Sequence, residues 1–352
     1  MKPVQPVRIG VIGCGRIVRR VHFEALAATP GVEVVAIADP DPEARAAAAA
    51  RFPGARAFGD PSQLLSDGGT EAVLVCVPSA LHAPVAEDAF EAGLHVYLEK
   101  PVAADLEGAR RVARAWRASG RVGMVGLNFR HDARYRELRE RLRRGEIGEV
   151  VAARSVFCSA AADLPEWKRS RAAGGGVLLD LASHHADLVR FTLGEVAKVS
   201  ASLRSVRGED DTAGLRMVLA DGVVVESLFS SSAIDDDRFE VYGTRGWLAV
   251  DRYRSSELAC GAEPPTYGRG ARLRRELGSA LGGLRGVVRG AGEPSYRAAF
   301  ACFAAAIKGT ADPSPDLEDG LRSLAIVLAA EEAARTGRTV AVLPVSPSAA
   351  PP

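Results

Sequence analysis

The strongest constraint on this chain is a rhythm in its first third. Short, β-branched apolar runs occur at 7–12 ("VRIGVI"), 32–39 ("VEVVAIAD"), 71–77 ("EAVLVCV"), 94–99 ("LHVYLE") and 121–127 ("RVGMVGL"). Alanine-rich stretches with helical spacing separate them and stop on Gly or Pro. Continuous apolar strands alternating with helices specify βαβ units, and so a parallel sheet covered on both faces. The pattern changes near residue 128. A charged helical segment, "ARYRELRERLRRGEIGEV", leads into longer strand-like runs at 150–158, 196–206, 214–231 and 238–251, with Asp221-Gly222 marking a hairpin. One helix, 175–194, interrupts these strands, and two more, 295–309 and 316–337, follow them. The expected class is α/β, because 352 residues are too many for one ordinary core. A doubly wound parallel sheet is expected over 1–127, and an α+β domain with a large open, mostly antiparallel sheet over 128–343. The proline-rich tail, 344–352, is expected to be disordered.

Bulk properties exclude several classes. A formal net charge of +1 advertises neither nucleic acid nor a membrane surface. No apolar run approaches the ~20 residues of a membrane span. Five scattered cysteines, with no CxxC and no Cys/His cluster, suggest neither a disulfide framework nor a metal site. A reducing, cytoplasmic compartment is expected, and the N-terminus lacks a signal-peptide layout.

The first strand runs into Gly13-x-Gly15-x-x-Val18 and then a helix. The first glycine permits a tight turn. The second lets a pyrophosphate approach backbone N–H groups at a helix N-terminus. The third position departs from the usual Gly or Ala. Asp39 ends the second strand, about 24 residues after Gly15 against an expected ~20. A carboxylate there accepts from ribose hydroxyls and repels a 2′-phosphate, which favours NAD over NADP; Arg45, on the next helix, bears on that exclusion. The alternative is that Asp39 opens the "DPDPE" turn or caps the next helix.

The fourth long apolar run ends in Glu99-Lys100-Pro101. A lysine at the C-terminal end of a parallel strand lies where open α/β sheets bind ligands. Partial desolvation would fit it for proton transfer or for polarising a C–O bond. Pro101 restricts the backbone of Lys100, and Glu99 is placed to pair with a cation or to hold a cofactor amide. In the helix at 175–194, Asp180 and His184 are four apart and share a face, Asp187 falls behind His184, and His185 is rotated by about 100°. Of two adjacent histidines in such a helix, one is expected to be packed and the other exposed.

Four blocks in this order, "GVIGCGRI", "CVPSALHAPVAEDAFEAGLHVYLEKP", "NFR" (128–130) and "GGGVLLDLASHHADLVRFTLG", resemble the glucose–fructose oxidoreductase / inositol dehydrogenase / rhizopine-catabolism (Gfo/Idh/MocA) family over nearly the whole chain. The resemblance implies an N-terminal Rossmann domain and a sugar or cyclitol dehydrogenase. It places Lys100 beside nicotinamide and substrate, makes His184 the proton acceptor, and has Asp180 orient the substrate hydroxyl or the imidazole. The cofactor-binding candidates are Gly13, Gly15, Arg16, Ile17, Asp39, Ser79, His82, Glu99, Lys100, Pro101 and Asn128. The substrate candidates are Lys100, Arg130, Trp167, Asp180 and His184, with Lys168 a further wall of the pocket. NAD is the expected cofactor, with NADP less favoured, and no metal is expected. The expected partners are a small polyol, sugar or nucleotide-sugar and other copies of the chain, as a homodimer or homotetramer. An NAD-dependent glycoside hydrolase or lyase acting by transient oxidation is the alternative activity, and a non-catalytic dinucleotide sensor is a third reading. Finally, 267–293 carries a leucine/valine stripe decorated by arginines. An amphipathic packing or subunit helix and a phosphate clamp both suit it.

Overall fold

The computed structural model describes residues 5–160, 165–171, 174–262 and 293–344. The arginine-rich stretch (apart from Glu293) and the tail beyond Pro344 lie outside them. The chain divides into two compact units: 1–131 with 292–325 and 344–352, and 132–291 with 326–343.

In the first unit, strands β1 (Val7–Ile12), β2 (Val32–Ala38), β3 (Arg56–Phe58), β4 (Ala72–Val75), β5 (His95–Leu98) and β6 (Gly123–Val125) form one parallel sheet in the order 3-2-1-4-5-6. This is the doubly wound Rossmann order, with its switch point between β1 and β4. The strands read as apolar runs because both sheet faces are covered: β4 is buried throughout. Helix boundaries follow local chemistry. Asp41, Asp60 and Asp105 cap the helices that begin at Pro42, Pro61 and Leu106, each accepting a first-turn N–H. Asp41, not Asp39, caps the helix after β2, which leaves Asp39 for other partners.

The first unit takes up a late segment. Helix Pro294–Ile307 inserts Phe300 and Phe303 into the core around β1 and β5, with Tyr97 and Phe300 ring centroids 4.9 Å apart. The boundary expected at 127/128 therefore falls at 131/132, and the unit is discontinuous in sequence. Periodicity marks the apolar face of this helix but not the sheet it covers.

The second unit holds a sheet of eight strands among the described residues. These are β7 (Val150–Cys158), β8 (Val196–Arg204), β9 (Thr212–Leu219), β10 (Val224–Ser230), β11 (Asp236–Gly243), β12 (Gly246–Asp251), β13 (Ala259–Ala262) and β14 (Val340–Ala341). Their order is 13-12-11-7-10-9-8-14, antiparallel except for β7 with β10. Residues alternate between faces. Ala153, Phe157, Met217, Val225, Phe229 and Phe239 point inward and are buried, whereas Arg154, Arg216, Glu226 and Leu228 point outward. The inner face is covered by a helix running from the π-wound turn Leu178–Ala182 into the α-helix Ser183–Thr192.

Candidate active site

The glycine loop follows β1 directly. Gly13 has φ +88°, and a Cβ there would meet the Cys76 carbonyl oxygen at 2.6 Å, so only glycine fits this turn. A Cβ on Gly15 would meet nothing within 4 Å. Its lack of a side chain is not required by packing, and it leaves backbone open at the start of the helix. Arg16 is half-buried, and Ile17, 40% exposed, offers an apolar surface beside the loop. Val18 is fully buried. The turn Val18–His22 is π-wound, a geometry concentrated at functional sites.

Asp39 is buried. Its carboxylate accepts from Cys14 N–H (2.6 Å) and Asp41 N–H (2.9 Å), which ties the end of β2 to the glycine loop. Each carboxylate oxygen has a second lone pair to offer. Arg45 donates to the backbone oxygens of Asp39 (2.7 Å) and Pro40 (3.3 Å). Burial, and then the charge of Asp39, push the Cys14 thiol up to about 12, so it is inert.

Ser79 is buried at the start of a short 3₁₀ turn, Ser79–Leu81. His82 is buried at the start of the next helix, His82–Glu91. Its ring lies against backbone carbonyls, Nδ1 2.5 Å from Pro101 O and Nε2 2.9 Å from Val77 O. Burial pushes its pKa down, so the neutral ring donates to one of the two at a time. It fastens the segment that follows Lys100. Glu99 also points inward, with its carboxylate on His22 and on the amide of Lys100. Lys100 is half-buried at the end of β5, before Pro101.

Asn128 is buried and donates to Ser295 Oγ at 2.7 Å. Arg130, expected on substrate, is nine-tenths buried and forms a two-pronged ion pair with Asp319 at 2.8 and 3.0 Å. That geometry braces Arg130 within the first unit.

In the second unit, Lys168 and Trp167 lie on the short helix Glu166–Arg169. The glycine run 174–176 folds back on it. A Cβ at Gly175 would meet the Lys168 backbone oxygen at 2.4 Å, and Gly176 N–H donates to that oxygen at 3.0 Å. This close approach brings Lys168 Nζ within 2.6 Å of Asp180 Oδ1, a partly exposed pair. His184 is buried in the next turn and meets Phe157 edge-on at 6.1 Å. The π-wound turn at Leu178–Ala182 means that Asp180 and His184 do not repeat simple α spacing. Asp187 is buried and pairs with Arg190 at 3.6 Å. Neither histidine is exposed. His185 is fully buried, stacked on Phe157 and 3.1 Å from Asp237, which also takes Arg252 at 2.6 Å. Burial pushes the Asp237 carboxyl up, but the bonds and charges of His185 and Arg252 hold it below the usual range.

Two family descriptions match: an oxidoreductase family with an NAD-binding Rossmann fold over residues 7–127, and the Gfo/Idh/MocA C-terminal domain over 135–249. Among curated relatives, 1,5-anhydro-D-fructose reductase of Ensifer adhaerens is 31% identical, covering 95% of this chain and 98% of its own. The chain belongs to the Gfo/Idh/MocA family. Inositol 2-dehydrogenase of Rhizobium meliloti is 28% identical, over 96% of this chain and 99% of its own. The WlbA dehydrogenase from Bordetella pertussis, solved with NADH and UDP-GlcNAcA, superposes with a TM-score of 0.82 at 25% identity, over 97% of this chain and 99% of its own. The Gfo/Idh/MocA assignment makes this chain an NAD-binding oxidoreductase, a dehydrogenase acting on CH–OH groups.

Within this family member, sequence reasoning overlooked His22 and undervalued Lys168. A signal for Lys168 was in the composition. Only five lysines, Lys2, Lys100, Lys168, Lys198 and Lys308, stand among 45 basic Lys and Arg residues. Where arginine supplies nearly every cation, a retained lysine is informative, since only lysine offers a compact ammonium of adjustable proton affinity. His22 carries no comparable mark.

Proposed function

We propose that this chain interconverts a secondary alcohol and a ketone on a sugar, cyclitol or nucleotide-sugar, with NAD preferred over NADP. The observation that carries this reading is the Lys168–Asp180 ion pair one turn before His184. A partly open acid–cation pair, its acid on the same largely buried helix as an imidazole, suits a polyhydroxylated ligand. The whole-length relatives that act on such molecules support it.

Gly13, Gly15, Arg16, Ile17 and Asp39 would hold the dinucleotide, and the open backbone at Gly15 fits a phosphate approach. The bound nicotinamide supplies the two-electron acceptor or donor. His184 takes the hydroxyl proton as general base and returns it in the reverse direction. The Lys100 ammonium stabilises the negative charge that develops on the substrate oxygen. Asp180, fixed by Lys168, orients the hydroxyl or the imidazole.

The test is a screen of NAD⁺ and NADP⁺ reduction across inositols, aldoses, uronic acids and nucleotide-sugars, followed by Lys100→Ala and His184→Ala. Each substitution is expected to lower kcat by roughly 10²–10⁴-fold. Unchanged turnover in either variant would remove that residue from the chemistry, and NADP⁺ preference would overturn the role of Asp39. Turnover of a glycoside without NADH release would favour the hydrolase or lyase activity instead. The five cysteines are all free thiols, which supports a reducing, cytoplasmic setting. The outer face of the second sheet supports self-association. Leu228 and Tyr242 are exposed there, and Leu228 lines a hollow of about 540 Å³ with Arg154, Arg216 and Glu226. That hollow lies opposite the face covered by the helix of Asp180 and His184, so it is not the candidate active site.

A further inference from the structure

Glu99 carries a carboxylate at a position only 7% exposed. Burying such a charge is unfavourable unless it is paired, so its neighbours are informative. Oε1 lies 2.9 Å from Nε2 of the fully buried His22, and Oε2 accepts the backbone N–H of Lys100 at 3.2 Å. The cavity is shaped for the carboxylate: a Cβ on Gly126 would meet Oε1 at 2.8 Å. His22 is held edge-on by Tyr296 (5.0 Å) and Phe300 (5.5 Å). The other titratable groups facing Glu99 are Cys76 beyond β4, His82 from the next helix, and Tyr97 and Lys100 from its own segment. Burial pushes the Glu99 carboxyl up. The His22 imidazole beside it, with Lys100 and His82 behind, outweighs that and holds it below the usual range.

The ligand atoms of His22, Cys76 and Glu99 lie within 4.8 Å of one another, a grouping that sequence spacing did not reveal. Burial and the Glu99 charge push the Cys76 thiol well up, so it stands as a thiol beside the acid–imidazole pair of Glu99 and His22. His22 belongs to the π-wound turn next to the glycine loop, where Arg19 N–H donates to Gly15 O at 3.1 Å. A continuous line of contacts thus runs from the glycine loop through His22 and Glu99 to Lys100.

We infer that Glu99, held by His22, is a positioning residue for Lys100: its buried carboxylate fixes the lysine backbone and raises the proton affinity of the ammonium. This rests on the role proposed above for Lys100, which it equips by keeping the ammonium charged when an oxygen must be held. Glu99 itself touches no substrate in this scheme.

The scarcity of lysine makes the test direct. Reductive ¹³C-methylation labels the five lysines and the terminal amine, and the Lys100 signal is identified by its loss in Lys100→Arg. Its NMR titration is then followed in the full-length protein. Glu99→Gln, nearly isosteric, is expected to lower the Lys100 midpoint by about one pH unit. His22→Phe leaves the carboxylate buried without its imidazole, so Glu99 takes up a proton and the Lys100 midpoint falls similarly. His22→Gln restores a donor and is expected to stay close to wild type. An unchanged midpoint in Glu99→Gln would overturn the inference. A raised midpoint in His22→Phe would overturn the part assigned to His22. If His22→Phe does not fold, the Glu99→Gln and His22→Gln titrations still decide, with the Lys168 and Lys308 signals as internal controls of structure. The titration needs no turnover, so it separates this inference from the functional reading. Activity surviving in Lys100→Ala would remove the catalytic role and leave the Glu99–Lys100 coupling standing.

Discussion

A methyl group added at Gly13 would sit 2.6 Å from the Cys76 carbonyl oxygen, on a backbone with φ +88°. The same group at Gly15 would enter open space. The two glycines of one motif therefore answer to different forces, one to the fold and the other to a ligand. Gly13→Ala combines a left-handed backbone, costing about 1–2 kcal/mol, with a backbone clash. It is expected to lower the thermal midpoint by at least about 4 °C. Gly15→Ala is expected to leave the midpoint unchanged and to weaken NAD⁺ binding about tenfold or more, read by fluorescence titration. Equal effects of the two substitutions on melting would show that Gly15 is structural as well. Asp39 belongs to both categories, since its oxygens already bind the Cys14 and Asp41 amides while keeping lone pairs to offer.

At the scale of elements, the helix bearing Asp180 and His184 begins against the loop between β8 and β9. Val177 N–H donates to Asp210 O at 3.3 Å, and Asp210 takes a positive φ of 46°. Asp211 organises that loop. It accepts the N–H groups of Val206 (3.0 Å), Arg207 (2.7 Å) and Gly208 (2.8 Å) and the Ser232 hydroxyl (2.5 Å). Burial pushes its carboxyl up, but these bonds pull it from 3.8 down to about 2. The folded value lies below the unfolded one, so the contribution is complete above about pH 4 and is lost as pH falls through about 2. Asp211→Asn is expected to destabilise the chain by roughly 1–3 kcal/mol at neutral pH. In urea unfolding, that gap should shrink between pH 4 and pH 2. A gap independent of pH would mean that the carboxylate charge is not what holds the loop.

The strands of the first unit were legible because each is a β-branched run flanked by turn residues, as in Val7–Ile12. Arg56–Phe58, three residues long and partly exposed, was not, because an edge strand of that length has no period to detect. The π-wound turns escaped notice too, since an apolar stripe does not reveal one extra residue in a turn. Lys100 and His184 were legible as candidates through motif and resemblance. The pairing of Arg130 with Asp319, 189 residues apart, was not, because only folding brings them together.

At the scale of the whole molecule, chain order and fold order diverge. Helix Pro294–Ile307 returns to the first sheet after the strands of the second have been laid down. Burial also sets what each sheet can still do. The first is covered on both faces, whereas the second alternates a buried inner face with an outer face that keeps apolar residues in contact with water. There Leu228, 46% exposed, stands across from Val156 and Gly214, and the cross-strand pairs Arg154–Glu240 and Arg216–Glu226 flank it. An apolar centre bordered by ion pairs suits a self-complementary contact, in which each Arg meets a Glu of a second copy related by a two-fold axis. Light scattering coupled to size exclusion is expected to give a dimer or tetramer for the wild type. Leu228→Arg adds a third cation beside Arg154 and Arg216 without touching the inner face, so it is expected to shift the mass toward the monomer and leave the far-UV circular dichroism unchanged. A wild-type monomer, or an assembly indifferent to this substitution, would move the association surface elsewhere on the chain.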